Sequence, residues 1–357
     1  MGFDRVRRRC GAALAALLGV CVAPRVATSQ APPDSTPAAA RARLFDTNEP
    51  LRLTLTADFG AIGHDRGTKH PNHPGVLSYV TAAGDSVALP VQLHTRGHWR
   101  LANCQFPPLK VVFDREQAAH TLFAHQGSLK LTGQCRDNRT YAGYVLEEYL
   151  IYRMYNLLTD RSFRARLARV TYADAKGKHD PETRNAFFVE DDDRMARRNG
   201  MQVLQQKNLS QADMEYHQMG LLAVFQYLIG NTDWSVGALH NIVLLRDSTG
   251  NVFPVPYDFD WSGVIWTPYA QPNPALGIRT VRERIFRAAC RTEVEQAGLF
   301  ATFNDKQAAF EALYHGPEAE GLEPKRIQQA LDYYADFYKI INDPGRARRE
   351  FGQNCMG

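Results

Sequence analysis

Several signatures of known protein classes are absent from the 357 residues, and each absence argues against one class. No Cys-x-x-Cys pair occurs, so a zinc ribbon is not supported. No Gly-x-Ser-x-Gly sequence occurs, so a serine-hydrolase triad has no anchor. No internal repeat is found, and no apolar run after residue 30 is long enough for a transmembrane helix.

A net positive charge is also absent once the N-terminus is set aside. Residues 1–30 contain five arginines and one aspartate, a net charge of +4 that accounts for the whole +4 of the chain. The remainder is therefore neutral. A nucleic-acid-binding protein needs a basic surface in its mature form, so we predict no nucleic-acid partner.

The N-terminus has the pattern of a cleavable signal peptide. Arginines at positions 5–9 precede an apolar run over residues 12–23, and small residues follow at 27–31. This order predicts a signal peptide over residues 1–30 and a secreted or periplasmic protein. Residues 31–43 are rich in Pro and Ala and are predicted to form a flexible leader. We expect no stable membrane span after cleavage.

Four cysteines remain after cleavage, and an even number in an exported protein suggests disulfides. We favour Cys104 with Cys135 and Cys290 with Cys355, because each pair stays within one half of the chain. Four unpaired thiols are the alternative.

Hydrophobic periodicity predicts the order of secondary structure. The predicted strands are 51–56, 76–81, 86–95, 109–113, 128–131, 165–172, 186–190, 242–246 and 252–257. The predicted helices are 144–158, a helix opened by a capping-box-like start at 210–213 and ending at 229, 280–297, 305–314 and 324–341.

This order predicts an α+β, bilobal protein-kinase-like fold. Residues 44–200 would form an antiparallel β-rich N-lobe, and residues 201–357 a mainly helical C-lobe interrupted by one hairpin.

Polar residues converge around that hairpin. Asp233 and Asn241 lie at the two ends of a short loop, and the hairpin returns the chain to Asp258 and Asp260. Carboxylate and amide oxygens suit Mg²⁺, which prefers oxygen ligands. On a strand, Asp258 and Asp260 would face the same side. The alternatives are a turn aspartate, a loop-capping amide and a solvent-facing strand end.

Several segments in this order resemble the CotH family, the spore-coat-type secreted atypical protein kinases. The segments are Thr-Arg-Gly-His-Trp-Arg at 95–100, Pro-Pro-Leu-Lys-Val-Val-Phe at 107–113, the helix 147–158, residues 185–200, the loop 231–241, and Pro-Tyr-Asp-Phe-Asp at 256–260. Tyr257 stands where the family has Trp, and Gly97 is not part of a glycine-rich phosphate loop.

The resemblance implies a kinase that transfers the γ-phosphate of ATP, with Mg²⁺ or Mn²⁺, to a hydroxyl of an exported protein or peptide. Asp233 would orient or deprotonate the acceptor hydroxyl. Asn241, Asp258 and Asp260 would bind metal, with Asp260 alternatively bracing the loop.

Phosphate binding would need cations in the first lobe. Lys130 lies in a strand before the helix that carries Glu147 and Glu148, the arrangement by which kinases grip the α- and β-phosphates. Lys110 and Arg96 are rivals for this role, and any of the three is otherwise a surface residue with an extended aliphatic stem.

Two other functions stay open. The first is a catalytically inactive kinase-fold protein that serves in binding or envelope assembly. The second is a secreted metal-dependent hydrolase that uses the same carboxylates. His70 and His73, and His94 and His98, also have chelating spacings. Neither pair belongs to a His-Glu-x-x-His helix.

Overall fold

A computed structural model of the protein describes residues 43–356, which belong to one compact unit. The predicted signal peptide and all but the last residue of the predicted leader lie outside the described residues. Among those described, no helix combines the length and apolar character needed to cross a bilayer.

Seven strands form a closed mixed barrel in the order β1-β2-β3-β4-β5-β7-β6. Strand β6 returns to β1 and pairs with it in parallel, with Leu51 opposite Ala168 and Ala57 opposite Asp174. Every other neighbouring pair in the barrel is antiparallel. The strands are β1 Leu51–Ala57, β2 His73–Val80, β3 Ser86–Thr95, β4 Leu109–Phe113, β5 Ser128–Gly133, β6 Ala165–Asp174 and β7 Glu182–Val189.

The described chain also contains a small antiparallel sheet and nine α-helices. The sheet has the order β10-β9-β8, with β8 Gln202–Leu204, β9 Ile242–Arg246 and β10 Val252–Pro256. The helices are α1 Phe59–His64, α2 Trp99–Asn103, α3 Arg115–Ala118, α4 Arg139–Leu158, α5 Asp192–Arg198, α6 Tyr216–Ile229, α7 Glu293–His315, α8 Pro324–Ile341 and α9 Pro344–Ala347.

This architecture contradicts the predicted fold class. A bilobal protein-kinase-like fold with an antiparallel N-lobe and a helical C-lobe is wrong, because the first strands close into a barrel through the parallel β1–β6 pair. Closure leaves β1 with a partner on both sides, as a barrel requires.

Two hydrophobic cores underlie this arrangement. One fills the barrel with alternate strand residues, such as Leu53 and Leu55 of β1. The other surrounds α4 and α6, where Tyr149 and Phe225 are fully buried, and extends to α7 and α8. Helix α4 thus packs with the C-terminal helices although it precedes residue 200.

Local elements agree with the sequence patterns better than the fold does. The hairpin β9–β10, strand β4 and helix α8 lie where they are predicted. The predicted helix 280–297 is wrong, because α7 begins only at Glu293. The capping box at Ser210 forms, but it opens a 3₁₀ turn, and α6 is capped separately by Glu215.

Both predicted disulfides are confirmed. Cys104–Cys135 links the end of α2 to the chain after β5, and Cys290–Cys355 links the segment before α7 to the C-terminus. The two bonds indicate an oxidising, extracellular-type environment.

Candidate functional site

The loop that carries Asp233 begins at a tightly packed glycine. Helix α6 ends at Gly230, which adopts a left-handed conformation with φ 66°. A Cβ atom at this position would collide with the hydroxyl of Tyr333 on α8. Only glycine combines that backbone conformation with that close approach, so the start of the loop is held at a defined point.

Asp233 is fixed by two side chains from the far end of its own loop. The Nε2 atom of His240 lies 2.8 Å from one carboxylate oxygen. The amide of Asn241 donates from Nδ2 to the other oxygen at 3.0 Å and to the backbone carbonyl of Asp233 at 2.8 Å. About one third of the Asp233 side chain and half of the His240 side chain remain accessible, at 33% and 55%. The carboxylate is therefore both oriented and reachable.

The hairpin brings Asp258 next to this loop. The backbone N–H of Tyr257 donates to the carbonyl of Asn241 at 3.1 Å, which extends the β9–β10 pairing by one step. Asn241 and Asp258 both have positive φ, at 52° and 61°. Such conformations are strained in residues other than glycine and cluster at functional sites.

Asp258 and Asp260 do not alternate along a strand, because β10 ends at Pro256 and Asp258 is left-handed. The backbone N–H of Asp258 donates to the hydroxyl of Tyr152 at 2.9 Å. Within the described residues, its carboxylate has no ion-pair or hydrogen-bond partner, and neither does Oδ1 of Asn241. These oxygens are available to a cation.

Asp260 is instead part of a buried charge cluster centred on Arg100. Arg100 donates to Asp260 at 2.8 Å and to Glu148 at 2.7 Å, and the hydroxyl of Tyr269 donates to Asp260 at 3.0 Å. The predicted metal role of Asp260 is therefore not supported, while the bracing role matches its contacts.

The cluster contains more carboxyl groups than guanidinium groups. Glu148, Asp258 and Asp260 are electrostatically coupled to two guanidinium groups, Arg96 and Arg100. Burial raises the pKa of Asp260 to about 8, with Arg100 opposing and the neighbouring carboxylates reinforcing the shift. Burial also raises the pKa of Glu148. Three ionised carboxylates against two cations would leave one surplus negative charge, which favours a bound cation or a retained proton.

The predicted phosphate-binding pair does not form. Lys130 binds Asp192 at 2.9 Å and lies over the ring of Tyr257, with 4.8 Å from Nζ to the ring centroid. Glu147 is buried and accepts a hydrogen bond from Nε of Arg326 on α8 at 2.9 Å, while Glu148 binds Arg100.

Lys110 and Lys130 nevertheless lie together. They are directly opposite on β4 and β5, and both line a cavity of about 190 Å³ on the outer face of the barrel, with Ser128 and Asp191 to Asp193. The acidic residues Asp191 to Asp193 thus line the same cavity as two lysines.

Arg96 is separate from the two lysines. It donates to Thr132 at 2.7 Å, and its buried Nε has no partner among the described residues. Burial lowers the pKa of Arg96, with Asp258 opposing this shift.

A smaller cavity adjoins the lysines. It has a volume of about 140 Å³ and shares Asp192 and Gln205 with the lysine-lined cavity. Its walls are Leu204, Leu239, Ile242, Val243, Leu244 and Tyr257. Tyr257 directly precedes Asp258, and Leu239 belongs to the loop that carries Asp233. This cavity therefore lies between the lysines on the barrel and the Asp233 loop.

Asp233 opens into a larger cavity of about 470 Å³ on another side. Its walls include His240, Trp261, Arg287 and residues 271–274. Arg287 and Arg100 are functional candidates that the sequence patterns did not single out. Arg100 lies in the segment 95–100 that resembles CotH, which is the one signal that points to it.

No group of three or more His, Cys, Asp or Glu side chains in residues 43–356 is arranged to hold a metal ion. His70, His73 and Asp65 are linked by hydrogen bonds that involve Thr95. These three side chains are not arranged to hold a metal ion either. A cation at Asn241 and Asp258 would therefore need further ligands from water or from a bound phosphate.

No protein-family model matches the chain, and comparison with curated proteins finds no match either.

Proposed function

We propose that this protein is a secreted or periplasmic phosphotransferase related in activity to the CotH kinases. It would transfer the γ-phosphate of ATP to a hydroxyl of an exported protein or peptide. The observation that carries the proposal is the arrangement of Asp233, whose carboxylate is held by His240 and Asn241 and is open to a cavity of about 470 Å³. A proton-accepting carboxylate must be both oriented and accessible to its substrate.

Two oxygen-bearing side chains beside Asp233 that could bind a cation support the proposal. The amide nitrogen of Asn241 is engaged with Asp233, so Oδ1 is the atom of that amide that a cation would meet. Asp258 adds a carboxylate without an ion-pair partner in the described chain, next to the buried cluster of Glu148, Asp260 and two arginines. Mg²⁺ typically uses one or two carboxylates together with substrate phosphates and water, so these two residues are a sufficient protein contribution.

The two cavities that share Asp192 and Gln205 supply candidate surfaces for the nucleotide. The walls of leucine, isoleucine, valine and Tyr257 suit a planar base, and Lys110 and Lys130 would bind phosphates after Lys130 exchanges Asp192 for the ligand. Catalysis would then depend on positioning and on charge neutralisation, as in other phosphoryl transfers.

The second candidate is a binding or envelope-assembly protein without turnover. Two observations favour it: Asp192 already neutralises Lys130, and Arg100 already neutralises Asp260. In such a protein, both ion pairs would be permanent structural contacts.

Purified full-length mature protein would distinguish the two candidates. We expect ATP with Mg²⁺ or Mn²⁺ to raise the melting temperature, and we expect labelled phosphate to appear on a protein or peptide acceptor. Asp258→Asn should remove the cation-dependent part of the thermal shift. Asp233→Asn should keep that shift but lower phosphate transfer by about 10²- to 10⁴-fold, the range for loss of a positioned proton acceptor.

Asp305→Asn is the matched control, because it makes the same change at an exposed residue of α7. If ATP neither stabilises the protein nor donates phosphate to an acceptor, the phosphotransferase proposal is rejected and the binding protein remains.

A further inference from the structure

Arg287 has a fixed position beside Asp233. Its Nη1 donates to the backbone carbonyls on both sides of Asp233, those of Thr232 and Trp234, the latter at 3.0 Å. Its guanidinium also lies over the ring of Trp234, with 5.5 Å to the centroid. Three contacts thus hold the guanidinium against the Asp233 loop.

The rest of that guanidinium is uncommitted. Neither Nε nor Nη2 of Arg287 has a hydrogen-bond partner among the described residues, and Arg287 lines the same cavity as Asp233. Burial lowers the pKa of Arg287, with Asp233 opposing the shift. A guanidinium keeps its charge regardless, so Arg287 adds a positive charge to the cavity wall and keeps two donors, Nε and Nη2, for a ligand.

The remaining cavity walls define what these donors can meet. Asp233 and Arg287 are the two permanently charged residues among the described residues that line the cavity, and His240 is bound to Asp233. The other walls, including Trp261 and the Pro-rich segment 271–274, are neutral. A ligand that places a hydroxyl at Asp233 would therefore lie close to a guanidinium that still has two unused donors.

We propose that Arg287 is a specificity residue that binds a carboxylate of the acceptor, so that the preferred acceptor is an acidic peptide segment with a nearby hydroxyl. This inference rests on the proposed function and adds its substrate class. The two free donors of an arginine edge match the two oxygens of a carboxylate, which gives a bidentate, charge-assisted contact.

Two capped peptides test the charge preference directly: Glu-Glu-Ser-Glu-Glu and Gln-Gln-Ser-Gln-Gln. Binding is followed by the fluorescence of Trp234 and Trp261 in the cavity, and phosphate transfer is measured separately. We expect the wild-type protein to bind the acidic peptide at least about tenfold more tightly, the size of one hydrogen-bonded charge contact. Rising salt should reduce the difference.

Arg287→Gln should remove the preference by weakening the acidic peptide alone, and in transfer assays it should raise KM for that peptide more than it lowers kcat. Arg287→Lys keeps the charge but not the two-donor edge, and it should retain part of the preference. Arg246→Gln makes the same change at an exposed residue that ends β9 and should keep the wild-type preference.

Equal binding of the two peptides by the wild-type protein would overturn the inference. So would an Arg287→Gln protein that binds both peptides normally but transfers phosphate more slowly to each, since Arg287 would then act on the phosphoryl group. Selective binding of the acidic peptide without any phosphate transfer would support the carboxylate site and reject the phosphotransferase, so the two failures are distinguishable.

Discussion

The side chain of Asn241 binds the carboxylate of Asp233: its Nδ2 donates to Oδ2 of Asp233 at 3.0 Å. Asn241→Asp would replace this donor with a second carboxylate facing Asp233. Like charges at hydrogen-bonding distance repel, so we expect Asp233 to shift and phosphate transfer to fall by about 100-fold. The assay is labelled phosphate incorporation at saturating ATP.

Gln117→Glu is a suitable control for that prediction, because it makes the same amide-to-carboxylate change on an exposed residue of α3. Full activity in Asn241→Asp would show that Asp233 does not depend on the amide.

Arg100 joins three separate segments, since it lies on α2 and binds Glu148 of α4 and Asp260 beyond β10. Burial alone would lower the pKa of Arg100, but the two carboxylates outweigh it and raise that pKa. Arg100→Met leaves both carboxylates buried without their cation. We expect the free energy of unfolding to fall by about 3–5 kcal/mol in urea titrations.

An exposed ion pair provides the contrast. Arg139 pairs with Glu323 at 3.6 Å with 82% of its side chain accessible. Arg139→Met should change the free energy of unfolding by less than about 1 kcal/mol. Similar losses in the two variants would mean that the Arg100 cluster is solvated in solution.

The stability of the protein should depend on pH because of the raised pKa of Glu147. Burial raises its pKa from 4.5 to about 8, with Arg326 opposing the shift. Between these values the folded protein retains a proton that the unfolded chain has lost. The free energy of unfolding should therefore fall as pH rises from about 4.5 to about 8, by up to about 1.4 kcal/mol per pH unit from this residue.

Urea titrations at several pH values in that interval measure the effect. Glu147→Gln should remove this part of the slope, whereas Glu311→Gln on the exposed face of α7 should not. An unchanged slope in Glu147→Gln would show that Arg326 keeps Glu147 ionised throughout.

The two disulfides should differ in their resistance to reduction. Cys290 is exposed, whereas Cys104 and Cys135 are both buried. A thiolate must reach a sulfur to exchange with it, so dithiothreitol should open Cys290–Cys355 first. Alkylation with mass-spectrometric mapping over time gives the order.

Loss of the Cys290–Cys355 bond also has an expected energetic effect. It closes a segment with a sequence separation of 65 residues. Cys290→Ala with Cys355→Ala should lower the free energy of unfolding by up to about 4 kcal/mol in the loop-entropy description. Simultaneous reduction of both bonds would instead indicate that opening is controlled by unfolding of the whole protein.

The sequence predicted those features that depend on short stretches of chain. The hairpin β9–β10 consists of two short apolar runs on either side of the polar turn 247–251, and α8 has an apolar stripe and begins at Pro324. The segment before Glu293 was misread as helix, because its arginines serve distant carbonyls: Arg284 donates to Tyr227, and Arg287 to Trp234. Local periodicity does not distinguish such residues from a helical face.

Features that depend on distant pairing were not predictable in the same way. No local signal shows that β6 pairs with both β1 and β7, and this pairing changes an open sheet into a barrel. In the candidate site, Asp233 and Asn241 lie at the two ends of one short loop, so the sequence alone could predict that they lie close together. The partners of Lys130 and Glu147 come from α5 and α8, and their spacing in sequence gives no indication of either contact.

The parallel pairing of β1 with β6 also sets a constraint on biosynthesis. Leu51 is synthesised long before its partner Ala168, so one edge of β1 has no strand partner while the intervening chain is made. Until then its unpaired backbone groups are open to other chains, and assembly requires a contact between remote parts of the polypeptide, which slows folding. The barrel can therefore close only after β6 has been synthesised, so its completion is a late step for this chain.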